Sequence, residues 1–237
     1  MTLEAEQIQE NWDKFIGYIN TYISEPRKSQ LLSFYKKYES RLITMPASYK
    51  PQFHSCWVGG YIHHCNNVVA AALRLDIIWR EMGVADTYTT EELVFSALNH
   101  DLGKMGDENN EAYLPNDSEW HIRNRGELYK FNNQLMFMAV PDRSLHMLTK
   151  AGILYSDNEM LSIKLHDGLY DDANKQYLCS YNPETKPRTS LIFIIHQADM
   201  LASRIEFELD WFPKIYPKKP TPVSNKKLDI FNQVFNK

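Results

Sequence analysis

Long hydrophobic runs are missing from this 237-residue chain. Apolar runs such as 191–195 fall far short of the about 20 residues that a membrane-spanning helix needs, so no membrane partner is expected. An excess of positive charge is also missing. Lys and Arg total 26 against 30 Asp and Glu, a formal charge of −4, which argues against a strongly basic nucleic-acid-binding domain and against stable duplex binding. Cysteine is scarce. Cys56, Cys65 and Cys179 cannot all pair and lack metal-knuckle spacing, as expected of reduced thiols in a cytoplasmic protein. The first residues show neither a basic stretch nor an apolar one, so no secretory signal is expected. No internal repeat and no convincing strand hairpin is visible. What remains is the mix of a soluble globular protein, 43% hydrophobic and 24% charged.

The pattern along the chain is helical and predicts an all-α class. Ile8, Trp12, Phe15, Ile19 and Ile23 repeat at spacings of three and four, the stripe of an amphipathic first helix, with Thr2 as its cap. Glu25-Pro26 breaks it, and a second helix runs to about Leu42. Residues 46–60, with two prolines and Gly59-Gly60, form an ordered loop. The next helix places Val68, Ala72, Leu75 and Trp79 on one face and closes at Gly83. Thr89-x-x-Glu92 is a capping box opening a helix that runs into Asn99-His100 and ends at Gly103. Residues 105–134 form a polar surface excursion. Pro141-Asp142 starts a short helix, Ser156-x-x-Glu159 opens another that ends at Gly168, and 170–187 is a polar loop. A last long helix covers about 190–211, and 214–225 reads as a Pro- and Lys-containing tail. The expected division is an N-terminal helical pair (1–45), a main domain (46–212) and a tail (213–237).

Histidine and aspartate are unevenly placed. His64 shares the buried stripe of its helix with Val68, and Asp199 shares a face with Ile192, Ile195 and Ala202. An acid on an apolar stripe is costly unless paired or metal-bound. His64, His100, Asp101 and Asp199 together offer two imidazoles and two carboxylates, a set suited to Mn²⁺, Fe²⁺, Co²⁺, Zn²⁺ or Mg²⁺. Lys104, one turn beyond Asp101, is a candidate contact to a phosphate oxygen. Arg143 and Ser144 lie in the first turn of a helix, where backbone N–H groups favour an anion. His121 with Arg123 and Arg125 forms a second anion-suited cluster. His54 precedes the Gly-Gly turn. His146 and His196 are read as structural.

The run from His54 through Gly59-Gly60 to His64, then Asn99-His100-Asp101-Leu102-Gly103-Lys104, then His196-Gln197-Ala198-Asp199 resembles the HD-domain superfamily of metal-dependent phosphohydrolases, in the variant of HD exoribonucleases and related phage and bacterial hydrolases. The resemblance covers roughly 46–208. It implies a helical bundle around a divalent metal held by His64, His100, Asp101 and Asp199. The ion would polarise a phosphoryl group and activate water, with Asp101 orienting that water. It implies for His166 a second metal or protonation of the leaving oxygen, a helix C-cap being the alternative. Two departures, His166-Asp167-Gly168 and Val140, bear on whether one or two metals bind.

The function implied is hydrolysis of a phosphoester or phosphoanhydride in a nucleotide or short oligonucleotide, by a monomer or homodimer. His54, His121, Arg123, Arg143 and Ser144 are the candidate substrate contacts. Aromatic residues of the two polar loops, Tyr113, Trp120, Tyr129, Tyr170, Tyr177 and Tyr181, are candidates to stack on a base. An HD-type di-iron oxygenase and a non-catalytic nucleotide-sensing module are the alternatives.

Overall fold

The computed structural model describes residues 3–85 and 87–211. Thr2, the tail 213–237 and its lysine pairs lie outside the described residues. Among the described residues there are ten α-helices: α1 (Ala5–Tyr22), α2 (Arg27–Lys37), α3 (Glu39–Leu42), α4 (Gly60–Glu81), α5 (Thr90–Asn99), α6 (Glu119–Arg125), α7 (Val140–Lys150), α8 (Asp157–Lys164), α9 (Lys175–Leu178) and α10 (Leu191–Glu206). None of the described helices is long and apolar enough to cross a membrane.

Helix α1 is amphipathic as its stripe requires. Trp12, Phe15 and Ile19 are buried, and Ile23 continues the row just past the helix end. Its cap is Glu4, which forms a reciprocal capping box with Gln7. The second helix stops earlier than expected: Tyr38 separates α2 from the single turn of α3. The buried face of α1 packs on α4 and α5, and one apolar cluster unites Trp12, Phe15, Leu31 and Tyr35 with Val68, Leu93, Leu98 and Ile194.

The two capping boxes predicted at Thr89/Glu92 and Ser156/Glu159 both form. Each side-chain oxygen accepts from a first-turn N–H that would otherwise lack a partner. Arg27 at the start of α2 ties these two helices together. Its Nη1 donates to both oxygens of buried Glu159, at 2.7 and 2.8 Å, it pairs with Glu91, and its guanidinium lies 4.4 Å over the Phe95 ring. Helices α4 and α10 pack side by side, α8 lies against α5 and α10, and α7 covers a 3-10 turn at Leu102–Met105.

Several local expectations need correction. The 105–134 excursion is not free of strands: β1 (Tyr113–Pro115) pairs antiparallel with β2 (Tyr129–Phe131), Tyr113 opposite Phe131, and α6 lies between them. Three-residue strands are too short for an alternating pattern to show. Gly103 does not end α5. That helix stops at Asn99, and Gly103 sits inside the 3-10 turn. Helix α8 stops at Lys164, and Gly168 opens a further 3-10 turn. The 170–187 segment contains α9 and a second 3-10 turn. Helix α10 ends at Glu206 and passes into a π-helical turn, Phe207–Trp211.

Candidate metal centre

Four segments bring the expected ligands together. His64 lies in the first turns of α4, His100-Asp101 follow α5, His166 follows α8, and Asp199 lies inside α10. The α4 start is shaped by its glycines. Gly59 has φ +82°, a left-handed value that favours glycine, and a Cβ on Gly60 would stand 2.1 Å from the Ser55 carbonyl oxygen. This close approach folds the 46–58 loop back against α4. Ser55 itself holds a positive φ of 48°.

Three imidazoles turn their Nε2 atoms toward the two carboxylates. His64 Nε2 is 3.1 Å from Asp199 Oδ1 and 3.6 Å from Asp101 Oδ2. His100 Nε2 is 3.4 Å from Asp101 Oδ2, 3.8 Å from Asp199 Oδ1 and 3.4 Å from His64 Nε2. His166 Nε2 is 3.4 Å from Asp101 Oδ1. The opposite nitrogen of each ring is held from behind. His100 Nδ1 donates to the Ala97 carbonyl and His166 Nδ1 to the Ile163 carbonyl, each at 2.8 Å. His64 Nδ1 meets the Glu206 carboxylate at 3.2 Å. An acceptor at Nδ1 fixes the ring and leaves Nε2 as the ligating nitrogen.

Glu206 joins this cluster without having stood out in the sequence. Besides His64 it accepts from Ser55 Oγ at 2.7 Å and Asn67 Nδ2 at 2.9 Å, and it meets His54 Nδ1 at 3.0 Å. The available signal was its position seven residues after Asp199, two helical turns along the same face of α10.

The ionisation of the cluster is strongly perturbed. Burial pulls the His64 imidazolium down, but Glu206 and Asp199 outweigh it and lift the group to about 10. His166, also opposed by burial, is lifted to about 9 by its hydrogen bond to Asp101 and by Asp167. Burial works against the charged forms of Asp101, Asp199 and Glu206. Lys104 and His100 nonetheless hold Asp101 well below the usual carboxylate range, His64 and His100 lower Asp199, and His64 and His54 lower Glu206. His54 titrates low, because burial and neighbouring His64 disfavour its cation.

This donor set fits a divalent metal ion. Buried imidazole nitrogens and carboxylate oxygens lie within ligating distance of one another, in the groups His64–His100–Asp101 and His100–His166–Asp199. Mixed nitrogen and oxygen donors suit the first-row divalent ions. The two groups share His100, so they describe one centre with His166 at its side.

A cavity of about 620 Å³ opens onto the centre. Asp101, Lys104, His166 and Asp199 line it, with His54, Tyr49, Phe53, Tyr113, Tyr170 and Arg204. Lys104 Nζ pairs with Asp101 Oδ2 at 2.5 Å. Arg204 Nη2 donates to the Tyr170 hydroxyl at 3.0 Å. His196 also lines the cavity, and its Nδ1 donates to the His166 carbonyl at 2.8 Å.

The remaining candidates lie elsewhere. His121 sits on α6 with Nδ1 2.7 Å from the Ser118 hydroxyl, and exposed Arg123 pairs with Glu119; neither lines this cavity. Ser144 is buried. Its hydroxyl accepts from the Gly103 N–H at 2.8 Å and lies 3.0 Å from the His100 carbonyl, so it braces the backbone of the His100–Gly103 turn. Arg143 points away from the centre, donating to the Met136 carbonyl at 2.5 Å and lining a different cavity.

Comparison with models of protein families, with curated proteins and with solved structures finds no match to this chain.

Proposed function

We propose that this chain is an HD-type, metal-dependent phosphohydrolase acting on a nucleotide or short oligonucleotide. The observation that carries the reading is the convergence of three back-braced imidazoles on Asp101 and Asp199 beside an open cavity. It joins the His … His-Asp … Asp order of the sequence to one place in space.

His64, His100, Asp101 and Asp199 would hold the ion, with His166 beside it as a proton donor rather than a ligand. A divalent ion bound there supplies Lewis acidity toward a phosphoryl oxygen and acidifies water. Asp101, kept ionised by Lys104 and His100, accepts a hydrogen bond from the attacking water and orients it. Lys104 and Arg204 place cationic groups in the cavity wall for the phosphate oxygens. His166, whose Nε2 faces Asp101, is positioned to give a proton to the leaving oxygen. Tyr49 and Tyr113 tilt together with ring centres 5.7 Å apart and offer aromatic surface to a base.

The test is metal stripping, reloading with Mn²⁺, and a screen of nucleotides and short oligonucleotides for released phosphate or mononucleotide. The wild type should turn over at least one of them, and Asp101→Asn should lose both bound metal and turnover, the latter by at least about 100-fold. No turnover by metal-loaded wild type, or full metal content in Asp101→Asn, would overturn the assignment.

A further inference from the structure

We propose that His196 is the positioning residue for the proton donor of this site: from α10 it holds the backbone of His166 so that His166 Nε2 can deliver a proton to the leaving oxygen. The inference rests on the phosphohydrolase reading and goes beyond it, since the sequence reads His196 as structural.

His166 lies two residues beyond the end of α8, outside that helix's hydrogen-bond ladder. Carbonyl groups at a helix C-terminus need partners from elsewhere. The His166 carbonyl finds one in α10, where His196 Nδ1 donates to it at 2.8 Å. The rest of the turn is tied locally. The Gly168 N–H donates to the Leu165 carbonyl at 2.9 Å, and buried Asn174 donates from Nδ2 to the Gly168 carbonyl at 3.0 Å. His196 therefore links this turn to the helix that carries Asp199. The two residues are three apart on α10 and share one of its faces. One helix thus sets both a carboxylate of the candidate metal centre and the backbone of His166.

The seat of the His196 ring is a glycine. Gly168 holds a left-handed φ of +58°, and a Cβ there would lie 2.0 Å from His196 Cε1, 2.3 Å from Nε2 and 2.4 Å from Nδ1. Any side chain at 168 would displace the imidazole, so the missing Cβ is what lets the ring lie against the turn. His196 is half-buried and lines the same cavity as His166.

Position matters because the His166 ring is already committed. Its Nδ1 donates to the Ile163 carbonyl at 2.8 Å, and its Nε2 stands 3.4 Å from Asp101 Oδ1. A shift of the turn carries the ring with it, and a misplacement of about 1 Å can cost on the order of 100-fold in rate. In the step itself the water oxygen bonds to phosphorus. The bond from phosphorus to the leaving oxygen breaks with its electron pair on that oxygen, which takes the His166 Nε2 proton. One proton of the attacking water passes by way of Asp101 back to His166. His196 exchanges no proton in this sequence and acts through position alone.

The experiment compares leaving groups on the full chain loaded with Mn²⁺. Nitrophenolate leaves as the anion and needs little help from a proton donor, whereas a nucleoside oxygen needs the proton. The matched pairs are 5′-AMP with p-nitrophenyl phosphate, and thymidylyl-thymidine with thymidine 5′-(p-nitrophenyl phosphate). On whichever pair the wild type turns over, His196→Leu should lose about 10- to 100-fold in kcat with the nucleoside leaving group. It should lose no more than about threefold with the nitrophenyl partner, and bound metal should stay at the wild-type level. His196→Asn, whose amide N–H can meet the same carbonyl, should recover most of the loss. Gly168→Ala pushes the ring out with its chemistry intact; it should repeat the pattern and decides the matter if His196→Leu fails to fold. Equal losses on both members of a pair, no loss on either, or no recovery in His196→Asn would overturn the inference and leave the phosphohydrolase reading in place. So would wild-type turnover of the nitrophenyl esters alone. Wild-type turnover of no nucleotide or ester at all would overturn both.

Discussion

Glu206 stands directly behind His64: its carboxylate meets Nδ1 at 3.2 Å, while Nε2 on the other side of the ring faces Asp199 at 3.1 Å. The imidazole is thus held between two carboxylates from the same helix, two turns apart. One braces the ring from behind and the other stands beside it in the candidate metal centre.

That relationship predicts the effect of Glu206→Gln. The amide keeps the shape but loses the charge that stabilises the His64 ring orientation, so metal affinity should fall about 10- to 100-fold. Competition against a chelator of known affinity measures it, with helicity by circular dichroism as the folding control. Unchanged affinity would show that Glu206 only fills space.

The stability of metal-free protein should depend on pH with a definite sign. His64 is raised to about 10 and His166 to about 9, against about 6.5 for an unfolded histidine. A raised pKa means that the folded state binds more protons, so this stabilisation is complete below about pH 6.5 and is lost as pH rises toward 9 and 10. The depressed carboxylates act in the opposite direction: their contribution is present above about pH 4 and is lost as pH falls. Thermal unfolding in the presence of chelator should therefore show its highest midpoint between about pH 5 and 6.5, with a decline through pH 9. A midpoint that rises from pH 6.5 to 9 would contradict the ion pairing described for the cluster.

Arg27→Met should be among the more damaging changes distant from the centre. Glu159 has no exposed side-chain surface, and its Arg27 partner is 19% exposed. Removing the guanidinium leaves a buried carboxylate unpaired, a loss of about 3–5 kcal/mol. Urea unfolding measures it, and Arg27→Met/Glu159→Met should recover much of the stability because the uncompensated charge is gone. A single-variant loss below about 1 kcal/mol would place this pair with ordinary surface ion pairs.

Gly60→Ala tests the close approach at the start of α4. The added methyl would overlap the Ser55 carbonyl oxygen at 2.1 Å, and backbone must shift to relieve it. The expected cost is about 1–3 kcal/mol, accompanied by weaker metal binding, since His64 lies four residues along and Ser55 donates to Glu206. Gly17→Ala, where a Cβ meets nothing within 4 Å, is the control and should leave metal binding unchanged.

Helix type and most helix starts were legible in the sequence because each is a local signal. The α1 stripe, the capping boxes at Thr89 and Ser156, and the His-Asp pair after α5 are spacings within one or two turns, and local hydrogen bonding and apolar periodicity decide them. The short β1–β2 pair was not legible, since three residues per strand hold too little pattern and the pairing partner lies across α6. Glu206 was legible only as a charged residue near a helix end. What it does depends on Ser55, His54 and His64, which reach it from across more than 130 positions of chain.

The sequence by itself determined that the chain is helical and placed His64 near the start of one helix, His100-Asp101 at the end of another and Asp199 on the apolar face of a third. Only the tertiary structure decided which way each side chain faces. Ser144 braces the His100–Gly103 turn, Arg143 one residue earlier lines the opposite cavity, and His121 with Arg123 stays away from the centre. Adjacent residues on a helix point about 100° apart, so their partners are set by which elements pack on each side, and that packing is a property of the whole chain.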